Sequence, residues 1–402
     1  MCSKPGKLSG SNKIKMKFKG FILLLLCQSL WAEDTTLSPG KPSDVGMDGT
    51  ILQAGVNMYR QAIERDEVRS AVILIARKGR VIVHEALGWK DKEQGIRIKK
   101  DAMFRMASNT KPVVATGIAI LAEQGKLRFN DPVHRHIKSF DNANASGIML
   151  HHLLTHTSGF RIKPIFFKPL VEKSTKHPDA PSLKLEVDRF GKVGAKEPVG
   201  KSYSYSNAGF NTLGAVTEVV SGKPLEVFLD KSIYRPLGMK DSYHHEEAKK
   251  LDGKLERMSV VYYKRDGKWI PGWKPGQPPK YPFVRASGGM ISTAMDYAVF
   301  CQMHLNGGIY GGKRILKKET VKLLTTPHTA KLYGPAEKIK REHFYGYGWR
   351  VYLEGAFAHS GSDGTAAWVD PKNQLIVLVF TQSPAGNKLR DRFFKLVQLA
   401  IE

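Results

Sequence analysis

From Gly49 to Asp66, apolar side chains recur at Ile51, Val56, Tyr59 and Ile63, spacings that gather on one face of a helix. Directly afterwards, Ala71-Val-Ile-Leu-Ile-Ala-Arg and Arg80-Val-Ile-Val-His-Glu-Ala form two β-branched runs around Lys78-Gly79, the pattern of a β-hairpin. The chain therefore opens helix, strand, strand. Its far end adds four strand candidates, Gly346 to Leu353, Ala356 to His359, Thr365 to Val369 and Gln374 to Thr381, parted by Gly, Asp, Pro and Asn turns. A closing helix runs from about Ala385 to Ile401.

Between these ends, helix-like segments and long loops dominate, and strand runs are few. The Lys- and Pro-rich stretch from Arg161 to Lys201 reads as an extended loop over the surface. The expected fold class is α/β in the α+β sense. An antiparallel β-sheet flanked by helices is built from both termini, about 48–102 and 336–402, with an inserted, mostly α-helical lobe at about 103–335. A cleft between two such lobes is a natural ligand site.

Residues 1–32 read as a signal peptide and are set apart from the fold. Six lysines and no acid precede position 20, Phe18 to Leu30 is largely apolar, and Ala32 stands before Glu33 and Asp34. The apolar stretch is too short for the about 20 residues that span a bilayer, so no stable membrane span is expected. Leu26 before Cys27 fits a lipidation signal poorly. The expected location is periplasmic or secreted. Residues 33–47, holding Pro, Gly, Ser and Thr, read as a leader, and 48–402 as the folded domain.

Composition and charge narrow the field. Across 402 residues, 42% hydrophobic and 25% charged side chains describe a globular protein with a sizeable core. Removing the six signal-peptide lysines from the net charge of +26 leaves +20. That surplus suits a solvated basic face or attraction to an anionic cell-wall or extracellular polymer, and no nucleic-acid module accompanies it. Cys2 and Cys27 leave with the signal, so Cys301 has no internal disulfide partner. It lies in the helix-like run Thr293 to His304 and reads as a core thiol. The adjacent pairs His151/His152 and His244/His245 diverge on either regular backbone, neither they nor His134/His136 are taken as a metal site, and neither a metal nor an organic cofactor is expected.

The chemistry centres on Ser-x-x-Lys, which occurs at Ser38/Lys41 and Ser108/Lys111. The first pair lies in the leader, where nothing fixes its geometry. The second opens a helix whose inward stripe is Val113, Val114, Gly117, Ile118 and Leu121, with Pro112 in the first turn and Gly125 at the end. A spacing of three puts hydroxyl and amine on one side of that helix. A helix N-terminus offers N–H groups to an oxyanion, and a desolvated, neutral lysine can accept the serine proton. Alone, the motif also fits an N-cap serine and a surface lysine. Two further boxes accompany it. Tyr205-Ser206-Asn207 stands in a turn-prone run before the helix-like Thr212 to Ser221, and His359-Ser360-Gly361 ends an expected edge-type strand whose backbone can pair with an extended substrate.

With these three boxes in order, the chain resembles the serine β-lactamase and D,D-peptidase superfamily, specifically its class C-like branch, which includes family VIII-like esterases. The resemblance covers about residues 48–400 and extends to His152 through Phe160, Ser287 through Tyr297 and Tyr345 through Trp349. It implies an exported serine hydrolase that cleaves an ester or amide through acyl-Ser108, with Lys111 as its proton acceptor or as the charge that tunes it. Tyr205 is then a proton shuttle, its phenol lowered from about 10 by ammonium charge. Asn207 contacts Lys111 and a substrate amide, and the N–H groups of Ser108 and Ser362 form the oxyanion hole. His156 is expected to be a structural hydrogen-bonding residue.

One departure concerns substrate. Typical β-lactamases carry Lys-Thr-Gly in the third box, whereas His359 stands here, so the cation that meets an antibiotic carboxylate is missing or conditional. This favours a small-molecule ester or amide substrate over efficient antibiotic hydrolysis. A D,D-carboxypeptidase or penicillin-binding protein acting on cell-wall peptides, and a non-catalytic polymer-binding protein, are the alternatives. A Gly-x-Ser-x-Gly elbow of a conventional Ser-His-Asp hydrolase is absent from the sequence.

Overall fold

A computed structural model describes residues 35–244, 251, 253–279, 281–384 and 388–402. The stretch 1–32 read as a signal peptide, with Cys2 and Cys27, lies outside the described residues, and among those described no helix is long and apolar enough to cross a membrane.

The hairpin of the opening residues lies near the middle of the main sheet. Helix α1 (Gly49–Glu64) starts where Asp48 Oδ1 accepts the N–H groups of Thr50 and Ile51 at 2.7 and 3.1 Å. Strands β1 (Ser70–Arg77) and β2 (Arg80–Asp91) follow, joined through Lys78 and Gly79, both at positive φ. The later strands are β3 (Arg350–Val351), β4 (Phe357–Ser360), β5 (Thr365–Asp370) and β6 (Leu375–Phe380). The sheet runs from Ser38–Pro39 through β2, β1, β6, β5, β4 and β3 to Phe344–Tyr345, with Ile96–Arg97 beside β2. Apart from the parallel Ser38–Pro39, neighbouring strands are antiparallel, and β1 meets β6 in the register Val72↔Phe380 to Arg77↔Leu375. Chain segments some three hundred positions apart thus share the centre of one sheet.

Every residue of β1 is buried because both faces are covered. Ile73 and Ile75 face α1 and the last helix, α6 (Lys388–Leu399), where the rings of Tyr59 and Phe393 meet edge to face at 5.3 Å. Val72, Leu74 and Ala76 face the larger core, which contains α2 (Thr110–Glu123) and α5 (Ala294–Leu305).

The middle of the chain departs from its sequence reading in three places. The stretch 161–201 is more than an extended loop, since it holds α3 (Leu183–Val193), capped by Ser182 Oγ accepting the Leu185 N–H at 3.2 Å. Leu183, Val187 and Phe190 are buried on its inner face, and buried Glu186 accepts both Arg189 and the Leu170 N–H. Lysines and a proline on the outer side obscured that periodicity. A two-stranded ribbon, 261–265 with 268–273, also stands within the region expected to be helical. Finally, α2 is buried on all sides from Thr110 to Leu121, so what looked like an inward stripe belongs to a central core helix.

At the far end, the expected strand from Gly346 to Leu353 is strand only at β3, and its first residues, Gly346 to Trp349, form the turn between Phe344–Tyr345 and β3. The turn lies against α2, where a Cβ on Gly348, at φ 82°, would stand 2.6 Å from Ala115 Cβ and 3.0 Å from Lys111 O. Strand β4 is not the expected edge either. It is flanked by β3 and β5, and only its residues after Ala358 extend past β3.

Candidate active site

Ser108 sits on a single turn of 3-10 helix, Ala107–Asn109, that leads straight into α2. Ala107, immediately before it, is held at φ 45°, an unfavourable region for a residue with a side chain. Two ties to the sheet stabilise this turn. Thr365 Oγ1 donates to Met106 O at 3.0 Å and accepts from Asn109 Nδ2 at 2.9 Å. Gly361 allows the approach, because a methyl group there would collide with Met106 O and lie 3.0 Å from Ala107 Cβ.

One turn further on, Lys111 is wholly buried, and its Nζ meets Ser108 Oγ at 3.0 Å, Asn207 Oδ1 at 2.8 Å and Ser287 O at 2.7 Å. Burial holds this amine well below the ordinary lysine range, and the guanidinium groups of Arg285 and Arg350 push it further down. An amine that is neutral in the core can accept a proton. The surface-lysine reading of the motif is thereby excluded.

Asn207 is the first residue of α4 (Asn207–Ser221), which Ser206 caps by accepting the Gly209 N–H at 3.1 Å. The Ser206 N–H in turn donates to His156 Nδ1 at 3.0 Å, and the buried His156 ring lies 4.3 Å from that of Tyr205. Burial, then Lys111 and Arg350, keep this imidazole well below its usual value. It therefore packs and orients the Tyr205–Asn207 turn, as expected of a structural residue.

Tyr205 faces the amine with its ring, Lys111 Nζ standing 4.7 Å from the centroid. The expectation of a lowered phenol is reversed. Burial raises Tyr205, while its hydrogen bond with Ser108 and the charge of Arg350 offset only part of that rise. The reason is that burial outweighs the neighbouring charge, so Tyr205 is a neutral phenol beside Ser108.

His359 is buried, with Nε2 2.9 Å from Tyr345 Oη, while the Ser360 N–H donates to Nδ1 at 2.9 Å. Nδ1 also lies 3.1 Å from Ser360 O, so the ring is held at both nitrogens, by the Ser360 backbone on one side and the Tyr345 hydroxyl on the other. Burial, Arg350 and Lys111 hold it well below the usual histidine range. Its charge is thus absent, not conditional.

The cation of this side comes from a residue the boxes did not flag. Arg350 Nη1 donates to Ser360 Oγ at 3.0 Å and lines a cavity of about 350 Å³ together with Ser108, Tyr205, Gly361 and Ser362. A second cavity, about 190 Å³, opens on the opposite side of Ser108 against Asn207, Phe166, Tyr281, Arg285 and Ser287. Ser108 is the point where the two meet. Ser362 is exposed at the rim, and its hydroxyl donates to Asp363 Oδ1 at 3.1 Å.

The three sequence boxes therefore converge on one spot. Sequence reasoning missed Arg350, the carbonyl of Ser287 and the hydroxyl of Tyr345. Ser287 and Tyr345 lay in segments noted for resemblance, whereas nothing in the sequence marked Arg350. Outside the site, Cys301 is fully buried, and burial pushes its thiol up. Among the described residues no cluster of three His, Cys, Asp or Glu could hold a metal ion.

The family model described as Beta-lactamase matches residues 56–401. A protein named putative D-alanyl-D-alanine carboxypeptidase, from Escherichia coli K12, is 25% identical over 406 aligned positions, covering 90% of this chain and 89% of its own. Esterase EstB of Burkholderia gladioli is 32% identical over 232 residues, 55% of this chain and 57% of its own. Among solved structures, EstCE1, described as a hydrolase with promiscuous acyltransferase activity, superposes with a TM-score of 0.71 at 22% identity over 88% of this chain and 98% of its own.

Proposed function

The chain belongs to the beta-lactamase family, as a serine hydrolase of ester or amide bonds, and we propose that its reaction passes through an acyl group on Ser108. The observation that carries this reading is the buried amine of Lys111, 3.0 Å from Ser108 Oγ and held by Asn207 and Ser287. As Ser108 Oγ bonds to the substrate carbonyl carbon, its proton passes to neutral Lys111. The N–H groups of Ser108 and Ser362 receive the oxyanion. When the carbon–leaving-group bond breaks, the proton goes to the leaving atom with Tyr205 as relay, a task for a neutral phenol. Water then attacks the acyl carbon and gives its proton to Lys111, and as the bond from that carbon to Ser108 Oγ breaks, Lys111 returns the proton to Oγ and the acid product leaves.

Substrate preference follows from the neutral His359. An ester or amide without the antibiotic carboxylate suits the site best, which agrees with the esterase among its relatives. A second reading is favoured by Arg350, whose guanidinium lines the larger cavity and provides a cation that His359 does not. A peptide ending in a free carboxylate, as in a D,D-carboxypeptidase, would meet it there. For either substrate, a periplasmic or secreted location is part of the proposal, as is a basic surface drawn to anionic wall polymer.

Intact-mass measurement after exposure to an activated ester, a penicillin and a D-alanyl-D-alanine peptide tests the proposal. An adduct on the wild type that disappears in Ser108→Ala is expected. Adduct formation or turnover that persists in Ser108→Ala would refute it.

A further inference from the structure

The two proposed oxyanion donors belong to segments more than 250 positions apart, the Ser108 turn and the loop after β4, and a rigid hole requires something to fix their separation. One buried side chain reaches both. Gln382 lies two residues beyond β6 with no exposed surface and is held at φ 45°, a conformation a residue with a side chain seldom keeps without a reason. Its carboxamide is fully engaged. Oε1 accepts the Arg105 N–H at 3.1 Å, while Nε2 donates to Arg105 O at 3.1 Å and to Asp363 O at 3.2 Å.

Strand pairing explains this arrangement. Phe104 and Arg105 pair with Ser292 and Ile291, and the Met106 N–H is bonded to Met290 O at 2.9 Å on that side. The Arg105 N–H and C=O point the other way, where a further strand would complete the ladder. No strand is there, and the carboxamide of Gln382 takes the place of the missing peptide group. Its second N–H then ties the Asp363 carbonyl, directly after Ser362, to the residue three before Ser108. Buried Arg105 and Asp363 add an ion pair at 3.3 Å across the same gap.

We propose that Gln382 is a positioning residue for the oxyanion hole, its carboxamide setting the distance between the Ser108 and Ser362 N–H groups. The inference rests on reading those two groups as the oxyanion donors. Gln382 touches no substrate. It acts on the stability of the tetrahedral state and leaves ground-state binding to the walls of the two cavities.

The test compares wild type with Gln382→Met, which keeps length and volume without hydrogen bonds, and Gln382→Asn, which keeps the amide but shortens its reach. Three quantities are measured: kcat per site titrated with a fluorophosphonate, KM for a p-nitrophenyl ester, and the inhibition constant of a boronic acid that forms a tetrahedral anion on Ser108. All three are read per active molecule, so a partly unfolded preparation still reports them. A roughly 10- to 100-fold fall in kcat, a matching weakening of the boronate and a KM within about threefold are expected. A kcat and boronate constant within twofold of wild type in both variants would overturn the inference, as would a loss confined to KM. Ser108→Ala separates the two levels. Hydrolysis that persists in that variant sinks the underlying reading, whereas hydrolysis lost there but unaffected by the Gln382 changes sinks only the role of Gln382.

Discussion

His359 Nε2 and the hydroxyl of Tyr345 stand 2.9 Å apart, inside a pocket where both side chains are buried. This pair leaves no room for the ammonium that the third box of typical β-lactamases carries. His359→Lys is therefore expected to lose about 3 kcal/mol or more of stability in urea denaturation, because a charge is buried without a partner. It should gain no turnover of a chromogenic cephalosporin. A variant as stable as wild type that hydrolyses the cephalosporin faster would contradict the geometry.

Lys111 is the group whose protonation should set the acidic side of the rate profile. Since its folded value lies well below the ordinary one, kcat/KM should climb as pH rises through that lowered value, well to the acid side of the ordinary lysine range. Lys111→Arg, charged at every accessible pH, should abolish this limb and cut kcat/KM for an activated ester by roughly 100-fold or more. The pH dependence of ester hydrolysis in both proteins checks the assignment.

Gly361→Ala should push the β4–β5 loop away from the Ser108 turn, since the new methyl would meet Met106 O and lie 2.5 Å from Thr365 Oγ1. The expected cost is about 1–3 kcal/mol in thermal or urea melts. The accompanying drop in kcat should exceed tenfold, because a donor shifted by a few tenths of an ångström no longer meets the oxyanion squarely. A stable, fully active variant would show that this close approach is dispensable.

Arg350→Gln should separate the two substrate readings. If a substrate carboxylate binds there, removing the guanidinium raises KM roughly 10- to 100-fold for carboxylate-ended peptides and esters, in line with about 1.5–3 kcal/mol for a charge-assisted bond. Neutral esters should change little. Equal effects on both substrate types would point to packing around Ser360 as the residue's main contribution.

Acid should weaken the fold through His304. Burial lowers this ring to about 4, with Nδ1 3.0 Å from Phe300 O and the ring against Trp349. The unfolded chain, titrating near 6.5, binds the proton more tightly, so the stability is complete above about pH 6.5 and is lost as pH falls towards 4. For this one ring the loss amounts to roughly 3 kcal/mol. His304→Leu should flatten the dependence of unfolding free energy on pH in that window by up to one proton's worth.

How much the sequence revealed depended on how local each signal was. α1, the Lys78–Gly79 hairpin and the Ser108–Lys111 pair lie within a few residues of their own cues, and each stands where periodicity and spacing put it. α3 was hidden because Lys184, Arg189 and Lys192 dominate a helix whose inner face is only Leu183, Val187 and Phe190. The direction of the Tyr205 shift was misjudged because the burial of Tyr205 itself cannot be read from its turn-prone neighbours. Contacts such as Ser287 O to Lys111, 176 positions apart, or Gln382 to Arg105, 277 apart, use backbone groups that every residue carries and leave no mark in side-chain pattern.

The placement of β6 against β1 has a consequence for biogenesis. A ribosome delivers Ser108 more than 250 residues before the Gly361 turn, the strand that closes the sheet and the carboxamide at 382. Under the proposed mechanism a nascent polypeptide therefore carries an incomplete site until those segments dock, and hydrolysis begins only once they have.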